Sequence, residues 1–414
     1  MTDADAQARQ PSVARAAVVY LLAFTAVGAW VPYWTVFVQS LGVGLGTIGL
    51  LAGVSAAATI VAAPAWGAAA DRFGDVRGPL LVASIWTATA AAALSLSTTP
   101  PIIAIEIAFL SLGSAGIVPL VDSRTLELLG VNRDRFGRVR AVGSVAFIVS
   151  SVVVGMVVER QGPSSLFLVF CPTVVLVGIV AAVLLGRSSG RRNAVNADVP
   201  SRVGLLRDGR LAAFFGASVL VWTSSSAVIA FFSLRLIEIG ADAGLVGTGW
   251  AVNAVVEVPL MLAFPLLVRR AGAERLLIIG AGAFAFRALG FAVSDGLPTL
   301  IAVSAMGGVG FALFFVGSVT YVARVAPPEA RATAQGLFSG TAFATGTIIG
   351  TTLGGAIAGS VGLQALFAAC TALSAFAAAA VWWAVIGRGR DPRADQPAGS
   401  SARSVDRSRA DARH

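Results

Sequence analysis

The stretch that decides the fold is Gly67-Ala68-Ala69-Ala70-Asp71-Arg72-Phe73-Gly74-Asp75-Val76-Arg77-Gly78, a charged turn between two long apolar runs. Asp71, Arg72, Asp75 and Arg77 cannot lie in hydrocarbon, where each charge costs several kcal/mol. They belong in water, so the flanking runs form a hairpin that crosses a membrane.

Composition carries the same reading to the whole chain. Of 414 residues, 57% are hydrophobic and 12% charged, and the mean hydropathy is +0.83. No soluble domain keeps that much apolar surface from water. The net charge of +9 invites a nucleic-acid partner, but the arginines cluster between apolar runs, where topology already accounts for them. Cys171 and Cys370 each sit inside an apolar run, as packing residues do, and not as a disulfide framework. Met1 to Pro11 is polar and carries Asp3 and Asp5, so it lacks the basic start of a cleavable signal, and the first span should serve as the uncleaved one.

A bilayer core of about 30 Å needs about 20 helical residues per crossing, and twelve windows meet it. They are 16–41, 45–70, 79–97, 102–123, 139–158 and 165–186, then 211–236, 244–268, 276–294, 298–323, 333–359 and 363–387. The fold class is therefore all-α integral membrane, with an N-terminal six-helix bundle over 1–186, a cytoplasmic linker over 187–210, a C-terminal six-helix bundle over 211–387 and a disordered tail over 388–414. The even-numbered turns, the linker and the ends hold 27 of the 30 arginines, leaving Arg160, Arg235 and Arg287. Both termini are expected in the cytoplasm, in a cell (inner) membrane.

The two halves also repeat. Setting Pro265 to Arg275 against Gly67 to Arg77 aligns Arg270 with Arg72, Gly272 with Gly74 and Arg275 with Arg77, although Arg269 stands where Asp71 does. Arg138 followed by Gly143 matches Arg331 followed by Gly336.

The loop G-x-x-x-D-R-x-G-x-x-R after the second span resembles the signature loop of the major facilitator superfamily. The likeness extends to Gly28-Ala-Trp30-Val-Pro32-Tyr-Trp34 and to Pro119-Leu-Val-Asp122 with Phe136-Gly-Arg138-Val-Arg140-Ala-Val-Gly143-Ser144, which resemble the phenylpropionate permease-like branch, itself related to the lactose permease group. The resemblance implies two six-span pseudo-symmetric halves with a substrate at their interface near the bilayer midplane. It implies gating by Asp71, Arg72 and Arg77, and a cavity lined or gated by the first span, Asp122 and Arg140. Arg138 joins Arg140 in the same gating run. Bare topology retention is the alternative for the loop charges, and a cytoplasmic-end salt bridge the alternative for Asp122 and Arg140.

Other candidates come from position alone. Glu257 and Arg287 lie at equal depth on consecutive spans, about 16 Å in at 1.5 Å per residue, and an intramembrane charge is functional by default. If they touch, Glu257 alternates between a proton and Arg287, or Arg287 receives a substrate carboxylate; a fixed ion pair is the plain alternative. Asn253 and Trp250 share a helix face with Glu257, as a polar-ligand stripe or with Trp250 as an interfacial anchor. Glu106 lies sixteen residues before Asp122, about 24 Å away along the axis, so the two serve different ends. Trp30 and Trp34, at i and i+4 around a bend expected at Pro32, offer an aromatic wall or a lipid anchor. Phe311, Phe314 and Phe315, beside Gly307, Gly308 and Gly310, read as helix packing.

The only histidine is His414, which departs from the lactose permease pattern. There is no lysine and hence no phosphate loop with its Lys, no Cys/His metal spacing and no nucleophile elbow. The reading is a transporter and not an enzyme, without cofactor or metal and expected as a monomer. Buried Glu257, Asp122 and Glu106 point to proton coupling, and an aromatic carboxylate is the favoured cargo over a sugar or nucleoside. The alternative is a proton-antiporting exporter of drugs or a secondary metabolite.

Overall fold

The computed structural model describes residues 10–129, 136–185, 209–327 and 330–387; the linker at 187–210, apart from its last two residues, and the tail at 388–414 lie outside them. The chain is helical throughout these residues, and eleven helices are long and apolar enough to cross a membrane. The twelfth rod, Arg77–Leu94, is alanine-rich and opens on an arginine, which lowers its hydropathy. Span one is Gln10–Trp30 continued by Trp34–Ser40, with the helix interrupted at residues 31–33 around Pro32, whose ring cannot donate to the ladder. Span two is Leu45–Phe73, span three Arg77–Leu94, span four Pro100–Ser114 with Ile117–Leu129, span five Phe136–Gln161 and span six Leu166–Leu184. Spans seven to nine are Gly209–Glu238, Ala243–Ala271 and Ala273–Val293. Span ten is Leu297–Val325, span eleven runs from Arg331 to Val361 and span twelve is Leu363–Val385.

The halves share one packing plan. In the first, span one lies against spans five and six, span four against two and three, and span three against six. In the second, span seven lies against eleven and twelve, span ten against eight and nine, and span nine against twelve. Two seams join them, span two against eleven and span five against eight.

The seams are closest at the end away from Gln10 and Val385. A Cβ at Gly49 would stand 2.4 Å from Gly355 Cα, and one at Gly247 would stand 2.2 Å from Ser151 O. The absence of side chains lets these backbones touch, the usual device where lipid offers no hydrophobic drive between helices. Tyr33, fully buried, donates its hydroxyl to Ser151 O and lies 3.3 Å from Ala243 O, bridging the second seam where span one breaks. On the termini side, by contrast, a Cβ added at Gly67 of span two, or at Gly336 or Gly340 of span eleven, would meet nothing within 4 Å. The halves meet at the far end and part toward the termini between spans two and eleven.

Breaks in the helices have identifiable supports. Span four is interrupted at 115–116, where Trp66 of span two donates to Leu112 O at 2.8 Å and Trp86 of span three donates to Phe109 O at 2.9 Å. Span ten carries a π-helical stretch at Phe311–Phe315 and span eleven one at Ser339–Ala344. At the termini-side turn between spans two and three, Gly74 caps the helix at φ 63°, a conformation that costs a side-chained residue. Arg124, 4% exposed, donates to Leu185 O at 2.8 and 3.1 Å and pairs with Glu127, pinning span four to the end of span six.

Gly49→Val should open the far-end seam. Overpacking of this kind costs about 1–3 kcal/mol, so transport should slow and an impermeant maleimide should reach a cysteine placed at position 46 faster than in the parent; unchanged labelling would show that the seam tolerates the side chain.

Candidate functional site

Four side chains from four spans converge where the halves face each other. Tyr20 on span one is fully buried and donates its hydroxyl to Asp122 Oδ1 on span four. Arg140 on span five approaches Asp122 Oδ2 at 3.7 Å and lies 5.7 Å from the Phe24 ring centroid, with Phe24 stacked on Tyr20 at 5.8 Å. From the second half, Glu257 on span eight lies within reach of the Arg140 charge but makes no ion pair with it among the described residues. One guanidinium thus has an acid of its own half at 3.7 Å and an acid of the other half beyond ion-pair distance. Span five makes this contact because it runs antiparallel along span eight, with Phe147 meeting Trp250 at 6.4 Å and Gly137 meeting Leu262.

The equal depth of Glu257 and Arg287 does not make them a pair: no ion pair joins them among the described residues. Arg287, 5% exposed, lies 5.7 Å from the Phe232 centroid and 5.6 Å from that of Phe291, and its Nε is buried without a hydrogen-bond partner. Its Nη1 and the Asn253 Oδ1 both occupy the space a Gly307 side chain would fill, each 2.3 Å from that position. Glu257 sits one turn further along span eight, its backbone N packed on Gly308. The two charges are at similar depth but turn to different neighbours.

Trp250 is not an interfacial anchor: it is 9% exposed, donates to Ser233 Oγ at 2.9 Å and packs between Phe147 and Phe232. Trp30 and Trp34 stack on one another at 6.3 Å, and Trp30 packs on Phe167 and Phe170 of span six. Both indoles remain partly exposed. Glu106 has one carboxylate oxygen buried without a partner and lies beyond the break in span four, apart from Asp122.

The three loop charges expected to gate, Asp71, Arg72 and Arg77, are not paired with one another among the described residues. Asp71 and Arg72 are exposed and make no ion pair among the described residues, while Arg77 pairs with Asp75 at 2.8 Å. Burial pushes the Asp75 carboxyl up, but the Arg77 backbone N–H and guanidinium outweigh it, holding the group below the usual carboxylate range. Arg138 is exposed at the start of span five. Cys171 and Cys370 are free thiols.

Tyr20 and Phe24 are site residues that sequence reasoning missed. One signal was available, since Tyr20 is one of three tyrosines in a chain with 23 phenylalanines, so a hydroxyl there answers a need that packing alone would not create.

Two repeated six-helix halves with a charged cluster at their interface define a multi-span membrane transporter. A model of the MFS_1 like family matches residues 13–369, and the chain belongs to that family of major facilitator transporters. It is 27% identical over 338 residues to the maltose permease of Geobacillus stearothermophilus, covering 81% of this chain and 85% of that one. It is 22% identical over 318 residues to a probable 3-phenylpropionic acid transporter of Escherichia coli, covering 73% and 80%. Among solved structures, the nucleoside transporter NupG superposes with a TM-score of 0.78 at 17% identity, covering 90% of this chain and 98% of that one.

Removing the Tyr20 hydroxyl by Tyr20→Phe leaves Asp122 short of a donor. We expect a loss of about 1–3 kcal/mol, read as a lower denaturation midpoint of the purified protein; an unchanged midpoint would mean that the hydroxyl does not hold Asp122.

Proposed function

We propose that the protein is a proton-coupled symporter in the cell membrane, with both termini cytoplasmic, importing a small organic solute by alternating access. The cargo falls in the range spanned by aromatic carboxylates, nucleosides and sugars, and the protein works as a monomer. The observation that carries this reading is that Arg140 lies 3.7 Å from Asp122 of its own half, on the stretch of span five between Gly137 and Phe147 that runs along Leu262 to Trp250 of span eight, the stretch that holds Glu257.

Two carboxylates around one guanidinium sum to one negative charge. Such a cluster resists being sealed between the halves, because an unmatched charge in a low-dielectric interior is costly. A proton on Glu257 neutralises the sum, and the halves can then close over the loaded site. Release of that proton on the cytoplasmic side restores the charge and favours the parted arrangement. The spacing of spans two and eleven on the termini side corresponds to the open, cytoplasm-facing stage. At this stage Asp71, Arg72 and Arg138 stand free in water, available to pair when the cytoplasmic side closes. Arg287, Asn253 and Trp250 form the wall of the second half behind Glu257, where Arg287 holds the one buried guanidinium near the site without a carboxylate of its own.

The test is Glu257→Gln in proteoliposomes, with labelled 3-phenylpropionate, uridine and maltose as probes. For whichever probe the parent protein accumulates under an imposed proton gradient, the variant should lose accumulation by at least about tenfold while keeping exchange of labelled for unlabelled solute. Gradient-driven accumulation at the parent level would overturn the assignment.

A further inference from the structure

The second half contains an aromatic cluster that the charged site does not use. Trp222 lies at the middle of span seven and is 1% exposed. Five rings from three other spans surround it, Phe284 of span nine, Phe311, Phe314 and Phe315 of span ten, and Phe343 of span eleven, with centroids 4.7 to 6.2 Å away. Its indole N–H is buried and has no hydrogen-bond partner.

Packing alone does not explain this arrangement. A phenylalanine would fill space without burying an N–H, and an unmet donor costs about 1–3 kcal/mol. Both π-helical stretches of the molecule's described residues, Phe311–Phe315 and Ser339–Ala344, end their rings on this one indole. Such stretches are rare and are frequently found at functional sites.

The cluster also has an open edge. Phe314 is fully buried and Phe284 is 4% exposed, whereas Phe343 is 41% exposed and Phe311 and Phe315 are partly exposed. Phe311 and Phe315 stack at 5.0 Å with their planes 13° apart. The Ser339–Ala344 stretch packs against span two, beside Gly340, where a side chain would meet nothing within 4 Å. Phe343 therefore sits on the stretch of span eleven that meets the other half at span two.

We propose that this cluster is the ring subsite of the transporter, taking a planar aromatic ring of the cargo on Phe343, Phe311 and Phe315, with a carbonyl or carboxylate oxygen of the same cargo accepting from the Trp222 N–H. It deepens the symporter reading, on which it rests for the existence of a cargo, and narrows the cargo to solutes with a phenyl ring or nucleobase. A π turn holds its extra residue loosely, which gives spans ten and eleven the slack to let an acceptor reach the indole.

The test measures ligand-induced thermal stabilisation of the purified full-length protein, with no proton gradient. The probes are 3-phenylpropionate and uridine, against 3-cyclohexylpropionate and maltose as solutes without an aromatic ring. At least one aromatic probe should stabilise the parent while the other two do not. Phe343→Leu and Trp222→Phe should each weaken that binding about tenfold, the range found for a ring on an aromatic platform, with the melting temperature of the unliganded protein retained. Phe311→Leu serves the same purpose should Phe343→Leu fail to fold. The proposal falls if no aromatic probe stabilises the parent, if the saturated acid or maltose binds equally, or if the folded variants bind within twofold of the parent. Ligand-induced stabilisation is read without a proton gradient and gradient-driven accumulation is read separately in proteoliposomes, so failure of proton coupling and failure of the ring subsite give different results.

Discussion

A membrane interior does not tolerate an unmatched charge, and this molecule places three charged groups together where its halves meet. Asp122 is held by the Tyr20 hydroxyl on one side, so its approach to Arg140 is a single contact at 3.7 Å and not a two-pronged clasp. Arg140 is then left with capacity to act on Glu257 across the seam. A guanidinium committed fully to Asp122 would have no reason to report on the other half. The link between the halves thus depends on how Tyr20 divides the hydrogen-bonding capacity of Asp122.

The architecture serves this contact. Span five lies along span eight from Gly155 near Gly244 to Gly137 near Leu262, which keeps Arg140 and Glu257 on adjoining faces. Spans two and eleven do the opposite, touching through Gly49 and Gly355 at one end and parting at the other. The interruptions in spans one, four, ten and eleven lie along the spans that would have to bend, and each is supported by named partners, such as the indoles of Trp66 and Trp86 on span four.

Much of this was legible in the sequence, and the limits have a physical origin. Hydropathy and the Arg72 turn pointed to the twelve rods, because a charge's cost in hydrocarbon rises steeply with depth. The repeat of Arg270 and Gly272 on Arg72 and Gly74 agrees with the matching packing of the two halves. What depth does not supply is the direction in which a residue points around its helix. Glu257 and Arg287 share a level, yet Arg287 turns to Phe232 and Phe291 and makes no ion pair with Glu257 among the described residues. Trp30 and Trp34 share a helical face, but which span that face meets depends on tertiary packing, and span six takes it. In the loop, Arg77 pairs with Asp75 two residues before it, just after Gly74 turns the chain. Resemblance to known transporters brought Asp122 and Arg140 forward, and only the fold added Tyr20.

The central claim is that Arg140 and Glu257 act on each other across the two halves. A double-mutant cycle on the purified protein, comparing Arg140→Gln, Glu257→Gln and the combined variant by denaturation midpoint, addresses it directly. Coupled charges should give a non-additivity of at least about 0.5 kcal/mol, whereas independent sites add to within about 0.3–0.5 kcal/mol. Non-additivity well above that margin is the predicted result, and simple addition of the two single effects would contradict the account.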